Sequence, residues 1–200
     1  MKIRHFFAVA ATAAVLAGSL SGCGYNGMVN REEAIDGKWA QVENQYQRRA
    51  DLIPNLVQTV KGSAAFESET LEGVIEARSK ASSIQLDAKD LTQENLDKFQ
   101  AAQNQLSGAL SRLMVVVERY PDLKSTQAFQ DLMIQLEGTE NRISVERKSF
   151  NDAVVEYNAF IRRFPNNLTA GMFGFEKRAY FKAEEGASTA PRVDFNKRAE

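Results

Sequence analysis

Two residue types that carry much of protein acid–base and covalent chemistry are nearly missing from this chain, which has one cysteine and one histidine in 200 residues. The cysteine, Cys23, closes the tetrapeptide Leu20-Ser21-Gly22-Cys23, where small residues and a thiol follow the apolar run "FFAVAATAAVLAGSL". A lone thiol cannot form an internal disulfide, so its chemistry is that of a nucleophile or an acyl acceptor. The histidine, His5, lies upstream, so a chain cut between Gly22 and Cys23 has no imidazole. Di-iron Glu-x-x-His pairs, His-Glu-x-x-His zinc sites and triads with a histidine base then cannot be built. Ser–Lys pairs and paired carboxylates remain, but the 26 acids are spread among Lys and Arg along helix faces, the pattern of a solvated surface. "GMFGF" follows no strand and carries no Lys-Ser/Thr, so it is not a phosphate loop. The inventory points to a non-catalytic protein without metal or cofactor.

The start of the chain explains the thiol. Lys2 and Arg4 precede the apolar run, and the run ends in small residues, the three parts of a secretory signal. It is too short for a comfortable membrane span, which takes about 20 apolar residues. "LSGC" resembles the lipobox of bacterial lipoproteins, in which the thiol receives diacylglycerol and cleavage makes the cysteine the new N-terminus. Residues 1–22 are therefore expected to be a lipoprotein signal peptide and residues 23–30 a lipidated Cys23 with its tether. Several acyl chains, at about 0.8 kcal/mol per buried CH2, hold a protein firmly where one is marginal. Gly24 in place of an aspartate favours the outer membrane over the inner one, with the mature chain facing the periplasm. Loss of Lys2 and Arg4 leaves a mildly acidic protein, with no basic surplus for nucleic acid.

Elements that could position a site appear after "GYNGMVN". Ile35, Trp39, Val42, Tyr46, Arg49, Ile53, Leu56 and Val60 trace one stripe in steps of three and four, in phase across Pro54. A proline inside a helix removes a bond to the carbonyl four residues back, here Ala50, and costs about 3 kcal/mol unless packing compensates. The unbroken phase favours a kinked, continuous helix. "KGSAAFESET" is the better break, with Ser68 as cap of a shorter helix through Leu71, Val74, Ile75 and Ala81. "SSIQLDAKDLTQEN" reads as a connection ending in a cap at Asp90 or Thr92. Leu96, Phe99, Gln103, Leu106, Leu110, Leu113, Val117 and Tyr120 form the next stripe, which Pro121 ends. With a cap at Ser125, a last one runs through Phe129, Leu132, Leu136, Thr139, Ile143, Glu146, Phe150, Ala153, Tyr157, Phe160 and Phe164, and Pro165 closes it.

This pattern predicts an all-α fold: an antiparallel up-and-down bundle over residues 31–165, of four helices, or three if the first continues through Gly62. Residues 166–200 read as an irregular tail whose Phe173, Phe175, Tyr180, Phe181 and Phe195 dock on the bundle, with a partner-binding segment as the alternative. Arg49, Gln103, Thr139 and Glu146 are polar residues in seam positions. If the first and last helices are neighbours, Arg49 and Glu146 are expected to pair, setting register and topology. The functional alternative is a polar pocket for a small anionic ligand.

The blocks "RRADLIPNLV", "YPDLK", "TENRI" and "FNDAVVEYN", with the closing "PRVDF", resemble the LemA family over Tyr25 to Phe195. Many members carry an uncleaved N-terminal transmembrane helix where this chain has a lipobox. The resemblance implies a helical up-and-down bundle held at a membrane and no established activity or catalytic residue. Family members are often encoded near envelope proteins, which implies a scaffold or adaptor whose partner is another envelope protein.

Overall fold

A computed structural model describes residues 2–62 and 67–182, with side chains from Gly24 onward. Helix α1 runs Lys2–Lys61, α2 Ser68–Ser83, α3 Gln93–Val117, α4 Pro121–Lys124, α5 Gln127–Arg162 and α6 Asn166–Phe173, with a 3-10 turn at Ala88–Asp90. No strand occurs among the described residues. The all-α bundle is thus observed, and its long helices number four: α1, α2, α3 and α5. The α1–α5 pair is the most extensive, followed by α2–α3. Both pairs are antiparallel, since Arg31 meets Glu156 and Arg49 meets Glu140, while Gln103 meets Ala81 and Arg119 meets Glu67.

The first stripe is buried as expected, from Ile35 to Val60. α1 is continuous through Pro54. The carbonyl that the proline leaves without its helical donor is that of Ala50, and Arg78 Nε of α2 donates to it at 2.7 Å. An orphaned buried carbonyl costs free energy comparable to a lost hydrogen bond, so this bond from a neighbouring helix is what makes the proline tolerable.

Thr92 caps α3, its hydroxyl accepting from Asn95 N at 3.2 Å. At α5 the cap is Thr126, not Ser125, and α2 begins without a side-chain cap bond at Glu67, Ser68 being its first residue. The last stripe needs a larger correction. After Phe150 the buried face passes to Val154, Tyr157 and Ile161, while Phe164 is 80% exposed. A straight helix repeats every 3.6 residues, so a strict three-four alternation drifts off the core by about 20° per heptad; over the last turns of α5 the drift moves Ala153 and Phe160 to the partly buried edge of the core, and Phe164 lies beyond the helix, which ends at Arg162.

The segments that lead into and out of the bundle, which meet at one end of it, are more ordered than expected. Residues 24–30, read as a tether, belong to α1, and Met28 is fully buried. Gly24 and Gly27, which suggest flexibility in sequence, are close-approach positions: a Cβ on Gly27 would stand 2.7 Å from the Phe160 ring, and one on Gly24 3.0 Å from Asn166 Oδ1. Beyond Pro165, where an irregular tail was expected, residues 166–173 form α6, closed by Gly174 at φ 75°, a left-handed cap that suits glycine. The remaining tail, residues 175–182, has no regular structure and lies along the bundle. Phe195 and the block "PRVDF" lie outside the described residues, as do the side chains of the signal segment and Cys23.

Candidate functional site

The core is divided by a polar layer. On one side lie Trp39, Tyr46, Phe99, Ile143, Phe150 and Tyr157; on the other, Ile53, Leu56, Leu106, Leu113, Leu136 and their neighbours. Each long stripe changes sides at a polar residue: α1 at Arg49, α3 at Gln103, α5 at Thr139, all three buried. Arg49, whose side chain is 3% exposed, donates through Nη1 to Glu140 Oε2 at 2.8 Å and to Ser107 Oγ at 3.0 Å. Its Nη2 donates to Gln103 Oε1 at 2.6 Å. The guanidinium also lies 5.1 Å from the Tyr46 ring centre. Gln103 Nε2 in turn donates to Ala81 O of α2 at 3.4 Å. All four long helices are therefore joined at one level.

The acid at Arg49 is Glu140, not Glu146. In the antiparallel α1–α5 pair, Glu146 is six residues further along α5, about 9 Å up the axis, and it is half-buried in the aromatic half. Glu140 escapes the stripe pattern because it stands beside the seam position of Thr139 and reaches sideways, with its own side chain 58% exposed. Thr139 is at the expected level but spends its hydroxyl on Gln135 O of its own helix at 2.7 Å. Of the four seam residues, the structure joins Arg49 and Gln103 directly, places Thr139 beside them and leaves Glu146 out.

A groove of about 540 Å³ opens next to this layer between α1 and the connection after α2, lined by Tyr46, Ile84, Leu86, Phe99 and Gln103 together with Glu43, Asp87 and Asp90. Burial, and then the charge of Asp87, hold the Glu43 carboxyl above its usual range. Carboxylates facing the groove oppose an anionic ligand, and both terminal nitrogens of Arg49 are already bonded within the bundle, while its Nε is buried without a hydrogen-bond partner. Among the described residues, no group of three or more His, Cys, Asp or Glu is arranged to hold a metal.

A second constellation, which sequence reasoning missed, fastens the tail. Asn158 accepts from Arg178 N and donates to Arg178 O, both at 2.9 Å. Asn151 does the same for Phe181, accepting at 2.9 Å and donating at 3.0 Å. The spacing is geometrical: seven helical residues rise about 10.5 Å, and three residues of extended chain span about 10 Å. The sequence signal was an Asn pair one heptad apart on α5, beside the seam. Gln100 of α3 adds a bond to Lys182 O at 3.3 Å. Phe181, 4% exposed, inserts against Trp39, Phe150 and the guanidinium of Arg147. Charges bracket the seat: Arg178 pairs with Glu32 of α1 and Lys182 with Asp97 of α3. Trp39 Nε1 donates to Leu86 O at 2.9 Å, tying the connection between α2 and α3 to the same region. Burial raises the pKa of the Tyr157 phenol nearby, reinforced by Glu32.

Of the expected aromatic anchors, Phe181 is thus seated, Phe175 is half-buried, and Phe173 and Tyr180 are exposed. No side chain in either constellation is aligned as a nucleophile with a base; both spend their polar groups on the protein's own chain. Among the residues whose side chains are described, no helix is long and apolar enough to cross a membrane.

The sequence also matches known proteins. The LemA family matches residues 38–195. Magnetosome protein MamQ 2 of Paramagnetospirillum magneticum is 29% identical over 182 residues, covering 82% of this chain and 67% of its own length. Magnetosome protein MamQ of Magnetospirillum gryphiswaldense is 28% identical over 185 residues, covering 82% and 67%. Protein LemA of Metamycoplasma hominis is 22% identical over 160 residues, covering 80% and 69%. With most of its length matched and the bundle in place, the chain belongs to the LemA family.

Proposed function

We propose that this protein is a non-catalytic scaffold or adaptor of the bacterial envelope, held by lipid on Cys23, facing the periplasm, with the outer membrane as its site. The observation that carries the reading is where the polar groups go: Arg49, Gln103, Asn151 and Asn158 all bind other parts of the same chain, so the chemistry of the interior builds a rigid body rather than a reaction site. The "LSGC" motif supports the lipid anchor, and magnetosome proteins among the relatives support a place on a membrane-bounded assembly.

Radiolabelled palmitate should enter the wild-type protein and not Cys23→Ser; equal labelling of both would remove the lipid anchor. For the adaptor role, the full chain captured from detergent-solubilised envelopes should bring down a partner that a chain ending at Gly174 loses. Capture of nothing by either form would count against an adaptor. In the competing reading, the polar seam is a ligand site. Its test is thermal: a ligand that binds only the folded state raises Tm, and anionic metabolites are expected to leave Tm unchanged, because the groove beside Arg49 is lined by carboxylates. A clear rise that disappears in Arg49→Met would restore the ligand module.

A further inference from the structure

The membrane end of the molecule carries an apolar face that the bundle does not use. Within α6, Leu168 and Met172 stand one turn apart and so share one side, 59% and 80% exposed, and Phe164, in the turn that precedes the helix, is 80% exposed. Phe173 extends the patch, also exposed, and α6 itself, "NNLTAGMF", contains no charge. On a monomeric soluble surface single exposed apolar residues are unremarkable, but a contiguous group marks an interaction site.

What that site meets follows from where α6 sits. Its first turn lies against the start of the described side chains: Asn166 Oδ1 is 3.0 Å from where a Cβ of Gly24 would stand, and Thr169 lies beside the same residue. Gly24 directly follows Cys23 and the apolar run, so α6 is level with the point at which the chain reaches the bilayer, whether through acyl groups or through the run itself. Tyr25, on the next position, packs edge-on to Phe173 at 5.0 Å and to Phe175 at 5.5 Å. Aromatic rings concentrate at the headgroup level of membranes, where one part of the ring is dry and another wet. Arg162 and Arg163 are exposed immediately before Phe164, and Lys177 is exposed just after the helix. An uncharged apolar helix face preceded by two exposed arginines, and followed by one acid and one base, Glu176 and Lys177, has the composition of a segment lying in the interface plane, with its apolar side at the headgroup–acyl boundary and the arginines toward lipid phosphates.

We infer that α6 is a second membrane contact: Phe164, Leu168, Met172 and Phe173 enter the bilayer surface, Arg162 and Arg163 bind lipid phosphate, and the bundle is held in a fixed orientation rather than swinging on its tether. This rests on the membrane-anchored reading of the N-terminus and adds to it a residue-level docking face. One anchor point leaves a rigid body free to tilt; two points at the same end define its pose.

The test uses the full-length protein reconstituted into vesicles of phosphatidylethanolamine and phosphatidylglycerol, with and without brominated acyl chains. Met172→Trp and, separately, Leu168→Trp place a fluorophore on the face, where exposure makes either change harmless to folding. Ile134→Trp, an equally exposed position in the far half of α5, is the comparison, and the wild-type signal of buried Trp39 is subtracted. Both α6 variants should be quenched by brominated lipid several-fold more than Ile134→Trp, and the quenching should weaken when Arg162 and Arg163 are replaced by Gln. Equal, low quenching at all three positions in protein that floats with the vesicles would keep the anchor and overturn the docking face, leaving it free for a protein partner. Protein that stays at the bottom of the flotation gradient would overturn the anchor itself, and the docking face with it.

Discussion

The two halves of the bundle are crossed by the same α1, α3 and α5 but are completed differently. In the far half, α2 supplies a fourth regular helix, and apart from Phe129 the buried core is aliphatic: Ile53, Leu56, Val74, Leu106, Leu113 and Val117 among others. In the half that holds Trp39 and the tail α2 has ended, and its place is taken by two stretches without long helix, residues 84–91 and 175–182. There the core turns aromatic, and polar side chains bind backbone: Trp39 to Leu86 O, Asn158 to Arg178, Asn151 to Phe181, Arg178 to Ala88 O. A helix satisfies its own amides and needs only apolar spacing to pack. An irregular segment brings unpaired N–H and C=O groups into the interface, so its host must supply partners, and large flat rings fill the uneven space that helices would have filled with branched side chains. The half that must hold irregular chain is thus the half with chemical detail.

The comparison is broken most strongly at Trp39. Trp39→Ala removes the ring that Phe99, Phe150 and Phe181 all touch and frees Leu86 O. It is expected to cost about 3–5 kcal/mol and to release the tail, read as earlier trypsin cleavage at Arg178 and Lys182. Leu113→Ala in the far half should cost about 2–5 kcal/mol while leaving those two sites as protected as in the wild type. Equal exposure of the tail in both variants would show that the halves do not differ in this way.

The layer between the halves gives the next effect. Arg49→Ala leaves Gln103 and Ser107 without their buried donor and opens a cavity, for an expected loss of about 2–4 kcal/mol. Glu140→Gln should cost less, about 1 kcal/mol, because Glu140 is mostly exposed and the guanidinium keeps its two neutral acceptors. Replacing Arg49 and Gln103 together by Met and Leu should recover stability relative to Arg49→Ala and loosen the register, seen as an increased rate of amide exchange in α5. Urea unfolding of the three variants orders these costs; if the double replacement were the least stable, the layer would be a stability element and not a register device.

Much of this was legible in the sequence. Where helix meets helix, hydropathy spacing located the buried stripes of α1 and α3, the continuity through Pro54, and three members of the polar layer. The failures have physical causes. The stripe pattern points to Glu146 and not Glu140 because it marks positions that face the seam, whereas Glu140 stands beside the seam at the level of Arg49 and reaches it sideways. Residues 24–30 and 166–173 look loose in the sequence because glycine and proline mark flexibility and close packing alike, and only the approach of Phe160 and Asn166 tells which. Arg78, which satisfies the carbonyl freed by Pro54, carries no mark in the sequence because it serves a backbone group on another element, and the heptad spacing of Asn151 and Asn158 puts them in line without telling which backbone they bind.

The tail clamps test the aromatic half more gently. Asn151→Ala and Asn158→Ala each delete two hydrogen bonds to backbone and leave the apolar core untouched, so each should cost about 1–2 kcal/mol. The distinguishing readout is again tail protection, expected to fall in both without loss of helical circular dichroism. Asn151→Asp keeps the acceptor for Phe181 N and loses the donor to Phe181 O, and should fall between the two. If either alanine variant kept the tail as protected as wild type, the aromatic seat of Phe181 alone would be holding it.

The smallest effect is a pH dependence at Asp36, in the same half. Burial, opposed by Arg178 and reinforced by Glu32, holds its carboxyl above the usual range, and its Oδ1 is buried without a hydrogen-bond partner. The folded protein therefore binds this proton more tightly than the unfolded chain. Above the folded value Asp36 is charged in both states and the cost of burying the charge is felt in full; as pH falls through that value toward the ordinary aspartate range near about 4, the folded state takes up the proton and the cost fades. Asp36→Asn removes the charge at every pH. It should melt slightly above wild type at neutral pH, with the gap closing between pH 7 and the aspartate range as the wild-type residue protonates. A gap constant with pH would mean that the change acts through the Arg178–Glu32 pair instead, because losing a neighbouring carboxylate there would alter the seating of Arg178 without any proton being exchanged.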